Sequence, residues 1–517
     1  MPEDFKHFAL RLHPADDVAV LKRPLKAGTA LVDGTLRITA AQDIPPGHKI
    51  AVAAVADGAP VRKYGQIIGF AKGDIAPGAH VHQHNLVLKD FGRECQFCVD
   101  AKPVRFHPPE KMRYFQGYAR QDGRSGTRNY AAIVSSVNCS ASVARFVAER
   151  FKTPDFKRDF PNVDGVVAFT HKGGCADGDE AVALLRRTLA GMASHPNVGA
   201  CLLLGLGCEH TQVCQVAEAA GAMGAALASG AAPPAMLTIQ ECGGVSKTVE
   251  AAAAALRALL PGANACRRTP QPVSKLVLAE NCGGSDGNSG ITANPALGVA
   301  SDELVRYGGA SVLAETPEIY GAEHLLARRA ATPEVGAKLV ALIRWWEAHV
   351  RSRNATIDNN PSPGNKAGGL TTILEKSLGA VAKGGQSPLM AVYNYAEQVT
   401  AAGLCFMDTP GLDPVSMTGL VAGGCNIGVF TTGRGSVFGL KPAPCIKVAT
   451  NSALFERMND DMDLNAGTIL DGTETLQQVG LRIFEKLIAV ASGERTKSEL
   501  AGMGDEEFAP WELGPTL

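Results

Sequence analysis

Neither sign of charge is in excess in this sequence: 50 lysines and arginines face 51 aspartates and glutamates, for a net charge of -1. That balance removes the electrostatic basis for binding nucleic acid or an acidic membrane surface, and small metabolites become the expected partners. Long apolar runs are missing too. The stretch GACLLLGLG (Gly199 to Gly207) is short and punctuated by glycine, so it does not make a membrane helix. The opening residues, MPEDFKHFALRLHP, place acidic and basic groups where a secretion signal needs an apolar core, which points to the cytoplasm. There is no GxxxxGK[ST] phosphate loop, and no GxGxxG follows a strand and opens a helix. Cysteine, by contrast, is plentiful. Thirteen is an odd count, which argues for free thiols or metal ligands over a secreted disulfide framework.

From Leu10 to Leu88 short β-like pieces alternate with turns: DDVAVLKRPL, TALVDG, LRITA, IPPGHKIAVAAV, GAPVRKYGQIIGFA and DIAPGAHVHQHN. This predicts a small all-β module over residues 1–90. Residues 91–116 lose that rhythm and read as a linker, whose Cys95 and Cys98 have no second cysteine pair nearby. Past Gly117, strand-like runs (YAAIVSSV, VDGVVAFTH, GACLLLGLG, AMLTIQ) alternate with helical segments such as DEAVALLRRTLAGM and SKTVEAAAAALRALL. Repeated βα units imply a parallel sheet covered by helices, here over residues 117–270. A further series, KLVLAE, ASVLAE, GLCFMD, NIGVFTT and CIKVAT, predicts a second α/β domain over 271–517.

Three histidines stand at every second position in HVHQHN (His80, His82, His84), a quarter of the 12 in the chain. On a strand they share one face, where two imidazoles can converge on a metal ion; an exposed polar strand end is the plainer reading. Ligands of open parallel sheets bind beyond the carboxyl ends of the strands, so the loops there matter most. They read VNCS (Cys139), HKGGC (His171, Cys175), GLGCE (Cys208), QECGG (Cys242) and ENCGGSDG (Cys282, Ser285, Asp286). Recurrent thiols beside glycines describe a site able to hold iron directly or as a cluster. Later loops offer Asn365 and Lys366 in NPSPGNKAGG, and Thr432 and Arg434 in FTTGRGS. The arginine fork among glycines suits a carboxylate.

Together with GTRNY, NVDGVVAFTH, CGGSDGNSGITANPALG, ETPEIYGAEHLL, EKSLGA and DLNAGT, these motifs make the chain resemble the altronate/galactarate dehydratase family, from about Leu10 to about Glu507. The resemblance implies an N-terminal SAF-type (β-clip) module joined to a large α/β portion. It implies iron, ferrous or in an iron–sulfur cluster, with manganese as a second choice. It further implies a cytoplasmic homo-oligomer that dehydrates a sugar acid to a 2-keto-3-deoxy acid, D-altronate being expected because HVHQHN matches that branch. The alternatives are galactarate, a lyase acting on another 2-hydroxy acid such as a sulfolactate, or a non-catalytic carbohydrate binder.

Removing a proton alpha to a carboxylate requires a charge stabiliser, and expelling hydroxide requires an acid. The candidate proton carriers are His171, Asp286 and Lys366. Substrate contacts are expected from Arg434, Asn365, Ser285, Thr432, Arg128 and Asn129, and metal ligation from His82, His84, Cys139, Cys175, Cys208 and Cys282.

Overall fold

A computed structural model describes residues 2–514 except Asp90, Glu94, Ala176 and 223–233. The N-terminal module is built from short strands in three small sheets. A four-stranded antiparallel sheet joins Ala9–Leu10, Val18–Leu21, Lys49–Ala51 and His80–Val81, and two hairpins flank it. The hairpin Pro60–Lys63 to Gln66–Ala71 turns on Tyr64 and Gly65, with φ of 62° and 70°. Positive φ at both central residues matches the twist of the paired strands.

The central domain has a four-stranded parallel sheet made of β1 (Tyr130–Ser135), β2 (Gly165–Phe169), β3 (Val198–Gly205) and β4 (Ala235–Thr238), in the order β2-β1-β3-β4. Every residue of β1 and β3 is buried, as expected of strands covered on both faces. Ala131, Ile133, Leu202 and Leu204 pack with the helices Asn138–Glu149 and Val245–Ala265. Ala132, Val134 and Leu203 face the other way, into a core shared with Leu420, Val421 and Phe430 of the C-terminal domain. That shared core fixes the two α/β domains against each other.

The C-terminal domain contains a seven-stranded, all-parallel sheet. Its strands are β5 (Val277–Cys282), β6 (Ala310–Leu313), β7 (Leu389–Tyr393), β8 (Gly403–Met407), β9 (Ile427–Thr432), β10 (Cys445–Ala449) and β11 (Leu464–Asn465). The order is β7-β8-β6-β5-β9-β10-β11. The chain starts in the middle at β5, builds outward on one side, then crosses to β9 on the other side of β5. That reversal opens a crevice beyond the carboxyl ends of β5 and β9. The segment before Tyr114 crosses this domain in irregular conformation, with Cys98 N–H donating to the Ala327 carbonyl and Asp100 paired to Arg328. Tyr114–Ala119 then pairs with Ser125–Gly126 and Arg268–Pro272 in a small antiparallel sheet.

Candidate active site

The crevice between β5 and β9 is where the β module docks. The backbone of Gly47 lies so close to Gly287 and Gly369 that a Cβ at either would sit 2.0 or 2.2 Å from the Gly47 carbonyl oxygen. Glycine is required at both for the module to seat. Beneath that contact, Lys49 and Lys63 of the module both bond the Glu375 carboxylate, at 2.8 and 2.9 Å, and Lys49 also donates to the Gly369 carbonyl at 2.6 Å. All three side chains are fully buried. Burial opposes the charge on Glu375, but the two ammonium groups outweigh it and hold its pKa well below the carboxylate range. Burial likewise lowers Lys49, to about 8.

Four histidines gather on the module's side of the crevice. His48 Nε2 donates to the Ala367 carbonyl at 3.2 Å, which leaves Nδ1 to accept from His80 Nε2 at 3.0 Å. The His82 ring lies 4.9 Å from that of His48, and the His84 ring 5.6 Å from that of His80. His82 Nδ1 is buried with no partner. Burial first, then neighbouring positive charge, lowers His80 to about 3 and His82 to about 4, so both are neutral near pH 7. His48 belongs to this group although no sequence motif singles it out.

Facing the histidines is the loop after β5. Asp286 is buried and accepts from Asn288, Ser289 and Thr450, while its carboxyl lies against Gly433. Burial raises its pKa. So fully occupied, Asp286 ties the loops after β5, β9 and β10 together. The Asn365 side-chain amide donates to the Ser285 carbonyl at 2.8 Å and its oxygen closes a capping box with Ser362, while Thr432 Oγ1 accepts from Gly435 N–H. Arg434 is exposed, its side chain against Gly284 and Gly368, and among the described residues its guanidinium has no partner. Lys366 is half-buried next to Ala367. The loops beyond β5 and β9 and the turn Pro363–Ala367 thus hold Ser285, Asp286, Thr432, Arg434, Asn365 and Lys366, and the bond from His48 to the Ala367 carbonyl brings the module's histidines up to that turn.

On the opposite side of Gly283 lies a second group of ionisable residues. Cys282, Glu315 and Glu318, all buried, offer ligand atoms within 4.8 Å of one another. Two lysines are already there: Lys383 donates to Cys282 Sγ at 3.1 Å and to Glu315 at 3.0 Å, and Lys376 donates to Glu318 at 2.7 Å. Burial, reinforced by Glu318, raises Glu315 to about 7; burial raises Asp413, whose carboxylate abuts Gly283, to about 8 and Cys282 to about 12. Glu315 has a left-handed backbone, φ 68°, uncommon for a residue with a Cβ.

The remaining expected site residues lie elsewhere. His171, Cys139, Cys175 and Cys208 follow β2, β1 and β3 of the central sheet, and the three thiols are exposed. Arg128 and Asn129 correct an expectation. The Arg128 guanidinium is consumed by Glu499 and by the carbonyls of Thr127, Val490 and Glu494, and the Asn129 amide donates to those of Asn162 and Ala263. Both are buried, Arg128 in the joint with the C-terminal domain and Asn129 within the central one, with no side-chain donor left for a ligand.

Three family models match in series: the altronate/galactarate dehydratase SAF domain over residues 7–89, the second domain of D-galactarate dehydratase/altronate hydrolase over 117–264, and the C-terminal domain of D-galactarate/altronate dehydratase over 273–516. The chain is 35% identical to altronate dehydratase of Bacillus subtilis over 509 residues, 98% of this chain and 99% of the relative. It is 36% identical to galactarate dehydratase (L-threo-forming) of Escherichia coli over 494 residues, 94% and 93% of the two chains. The (2R)-sulfolactate sulfo-lyase subunit beta of Chromohalobacter salexigens is 32% identical over 402 residues, 77% of this chain and 97% of that one. The chain belongs to the altronate/galactarate dehydratase family and is a hydro-lyase.

Proposed function

We propose that this enzyme dehydrates D-altronate to a 2-keto-3-deoxy acid and water, in the crevice between the β module and the C-terminal sheet. The observation that carries this reading is the unpartnered Arg434 guanidinium on one wall and four clustered imidazoles on the other. Altronate is a monocarboxylate, and one fork of donors at Arg434 suits it. Galactarate needs a second cationic end, for which Lys366 is the available group. A sulfonate lyase reading is not preferred, because the relatives matching the whole chain are dehydratases.

The family implies a metal; among the described residues the ligand atoms that already converge are those of Cys282, Glu315 and Glu318, and the clustered histidines offer a second set. Burial keeps His80 and His82 neutral, and His82 Nδ1 is buried with no partner. His80, His82 and His84 would hold it, with His48, bonded through both ring nitrogens, orienting His80. The Cys282 group fits less well, because two ammonium ions already balance its carboxylates. A bound ferrous or manganous ion supplies Lewis acidity for the substrate carboxylate and the departing hydroxyl. In this reading Arg434 orients the carboxylate and Asp286 holds the loop carrying Ser285. Lys366 takes the C2 proton and hands it on to the departing C3 hydroxyl, which leaves as water. The enol then takes one solvent proton at C3. With all thirteen cysteines free, the protein suits the reducing cytoplasm.

Incubation with each acid in deuterated water tests the reading. Altronate should give 2-dehydro-3-deoxy-D-gluconate with one deuterium at C3. Product from galactarate and none from altronate would overturn the substrate; product without deuterium would overturn the enol.

A further inference from the structure

One loop of the C-terminal domain touches both the crevice and the buried group around Cys282, and it is fastened at its base. Helix Ile373–Val381 follows this loop, and two side chains near the loop's start return to that helix. Asp358 accepts from Ile373 N–H at 2.9 Å, which closes the loop on itself. Asn360 stands in a triangle with two buried groups. Its side-chain N–H donates to Glu318 Oε1 at 2.7 Å, its side-chain oxygen accepts from Lys376 Nζ at 2.9 Å, and Lys376 Nζ donates to the same Glu318 oxygen at 2.7 Å. Glu318 is 2% exposed and Lys376 8%, so the triangle is rooted in the domain interior. Between this base and the helix lies the turn Pro363–Ala367. From the crevice side it is held by Asn365 on the Ser285 carbonyl and by His48 on the Ala367 carbonyl. Lys366 stands between those two contacts, half-buried. Burial raises the pKa of Asp358, and the Ile373 N–H and the charge of Lys366 both oppose that rise.

From this arrangement we propose that Asn360 is a positioning residue for Lys366: it latches the loop to Glu318 and Lys376 and so fixes where the Lys366 amine stands in the crevice. The proposal rests on the reading of Lys366 as the base. In that reading one amine serves two atoms in turn, the proton at C2 and the hydroxyl at C3, so its placement matters twice. Reacting atoms must meet at about 3–3.5 Å, and a displacement of about 1 Å costs about 10²-fold in rate. A lysine stem is flexible, so the loop beneath it has to supply the precision. The crevice contacts hold only the later part of the turn, at Asn365 and Ala367. The stretch leading into the loop is exposed from Arg351 to Thr356, and Asn360 ties it to the interior. The residue type fits the task, because Glu318 needs a donor, Lys376 needs an acceptor, and a side-chain amide offers both.

The test compares full-length variants on D-altronate and on D-altronate deuterated at C2. Asn360→Ala should lower kcat by about 10²-fold with KM little changed, and the isotope effect on kcat should rise as proton removal slows. Asn360→Gln, which keeps both halves of the amide, should recover part of the loss, whereas Asn360→Asp, which sets a second carboxylate against Glu318, should not. Because Asn360 acts through Lys366, the double variant Lys366→Ala/Asn360→Ala should be no slower than Lys366→Ala alone. Hydrogen–deuterium exchange gives a readout without turnover: Asn360→Ala should quicken exchange over residues 358–369 and leave β5 and β6 as in the parent. Parental kcat and isotope effect in Asn360→Ala, losses that add in the double variant, or faster exchange spread through β5 and β6 would each overturn the latch. Parental turnover in Lys366→Ala would instead overturn the base itself, and the latch with it.

Discussion

The two parallel sheets present the same local design at their carboxyl edges and treat it in opposite ways. Each has a strand, a glycine-rich loop with a cysteine, and then a helix. In the C-terminal sheet the cysteine is Cys282, buried between Lys383 and Glu315, and the neighbouring crevice is roofed by the β module. In the central sheet Cys139, Cys175 and Cys208 are exposed. A polar group taken out of water must find partners, and the roofed edge accordingly shows paired carboxylates and lysines. Both edges keep buried atoms without a partner: His82 Nδ1, Asn288 Oδ1 and Glu315 Oε1 at the roofed one, His171 Nδ1 and Thr211 Oγ1 at the open one. The difference shows that strand-end thiols do not have one chemistry. What covers them decides it.

The strongest way to break the comparison is to lift the roof. Glu375→Ala leaves Lys49 and Lys63 buried without their counter-charge, a change that costs about 3–5 kcal/mol. Urea unfolding should show that loss, and limited proteolysis should release the module together with all dehydratase activity. A variant that unfolds like the parent would mean the module does not depend on this triad.

Next comes the wall of the crevice. Because Arg434 is exposed and bonds no other side chain among the described residues, Arg434→Ala should leave unfolding within about 0.5 kcal/mol of the parent. It should nevertheless lower kcat/KM by about 10²–10³, the usual loss when a donor to developing charge is removed. Arg434→Lys should recover only part, since an ammonium lacks the planar fork. If both variants keep parental kcat/KM, the carboxylate is held elsewhere.

Much of this architecture is legible in the sequence, because both sheets are built from buried strands whose apolar runs alternate with helical ones. The β module, the two series of βα units and the loops carrying Arg434 and Asp286 follow from that rhythm and from turn residues. What pairs across long sequence distances does not. His48 lies 319 residues from the Ala367 carbonyl it bonds, and Lys49 lies 326 from Glu375. Nothing local in PPGHK distinguishes it from an ordinary turn. Arg128 shows the reverse error: a short motif, GTRNY, looked like a substrate grip, yet its cation is spent holding Glu499 in the domain joint.

That joint offers a smaller, pH-dependent effect. His195 is fully buried between the two α/β domains, with Nε2 donating to the Cys425 carbonyl and Nδ1 accepting from Asn197 N–H. Burial lowers its pKa to about 3, against about 6.5 in the unfolded chain. Between those values the unfolded state binds a proton that the folded state refuses. The stability His195 contributes is therefore complete above about pH 6.5 and declines as pH falls toward 3. His195→Gln, which cannot titrate, should remove about one proton from the slope of unfolding free energy between pH 4 and 6. An unchanged slope would mean that the imidazole is already charged in the fold.

The smallest effect sharpens the comparison between the thiols themselves. In metal-free protein, Cys208→Ser alters an exposed side chain whose one bonded neighbour is the Gln240 amide, 3.4 Å away. Such surface changes stay within about 0.5 kcal/mol. Cys282→Ser replaces a buried sulfur that accepts from Lys383 Nζ at 3.1 Å. The shorter oxygen cannot keep that contact without movement, and a buried ammonium left short of a partner costs about 1–3 kcal/mol. Measured side by side by chemical unfolding, the two substitutions should differ by at least about 1 kcal/mol. Equal values would mean that the roofed thiol bears no more of the fold than the open one, and that burial at the carboxyl edge does not separate them.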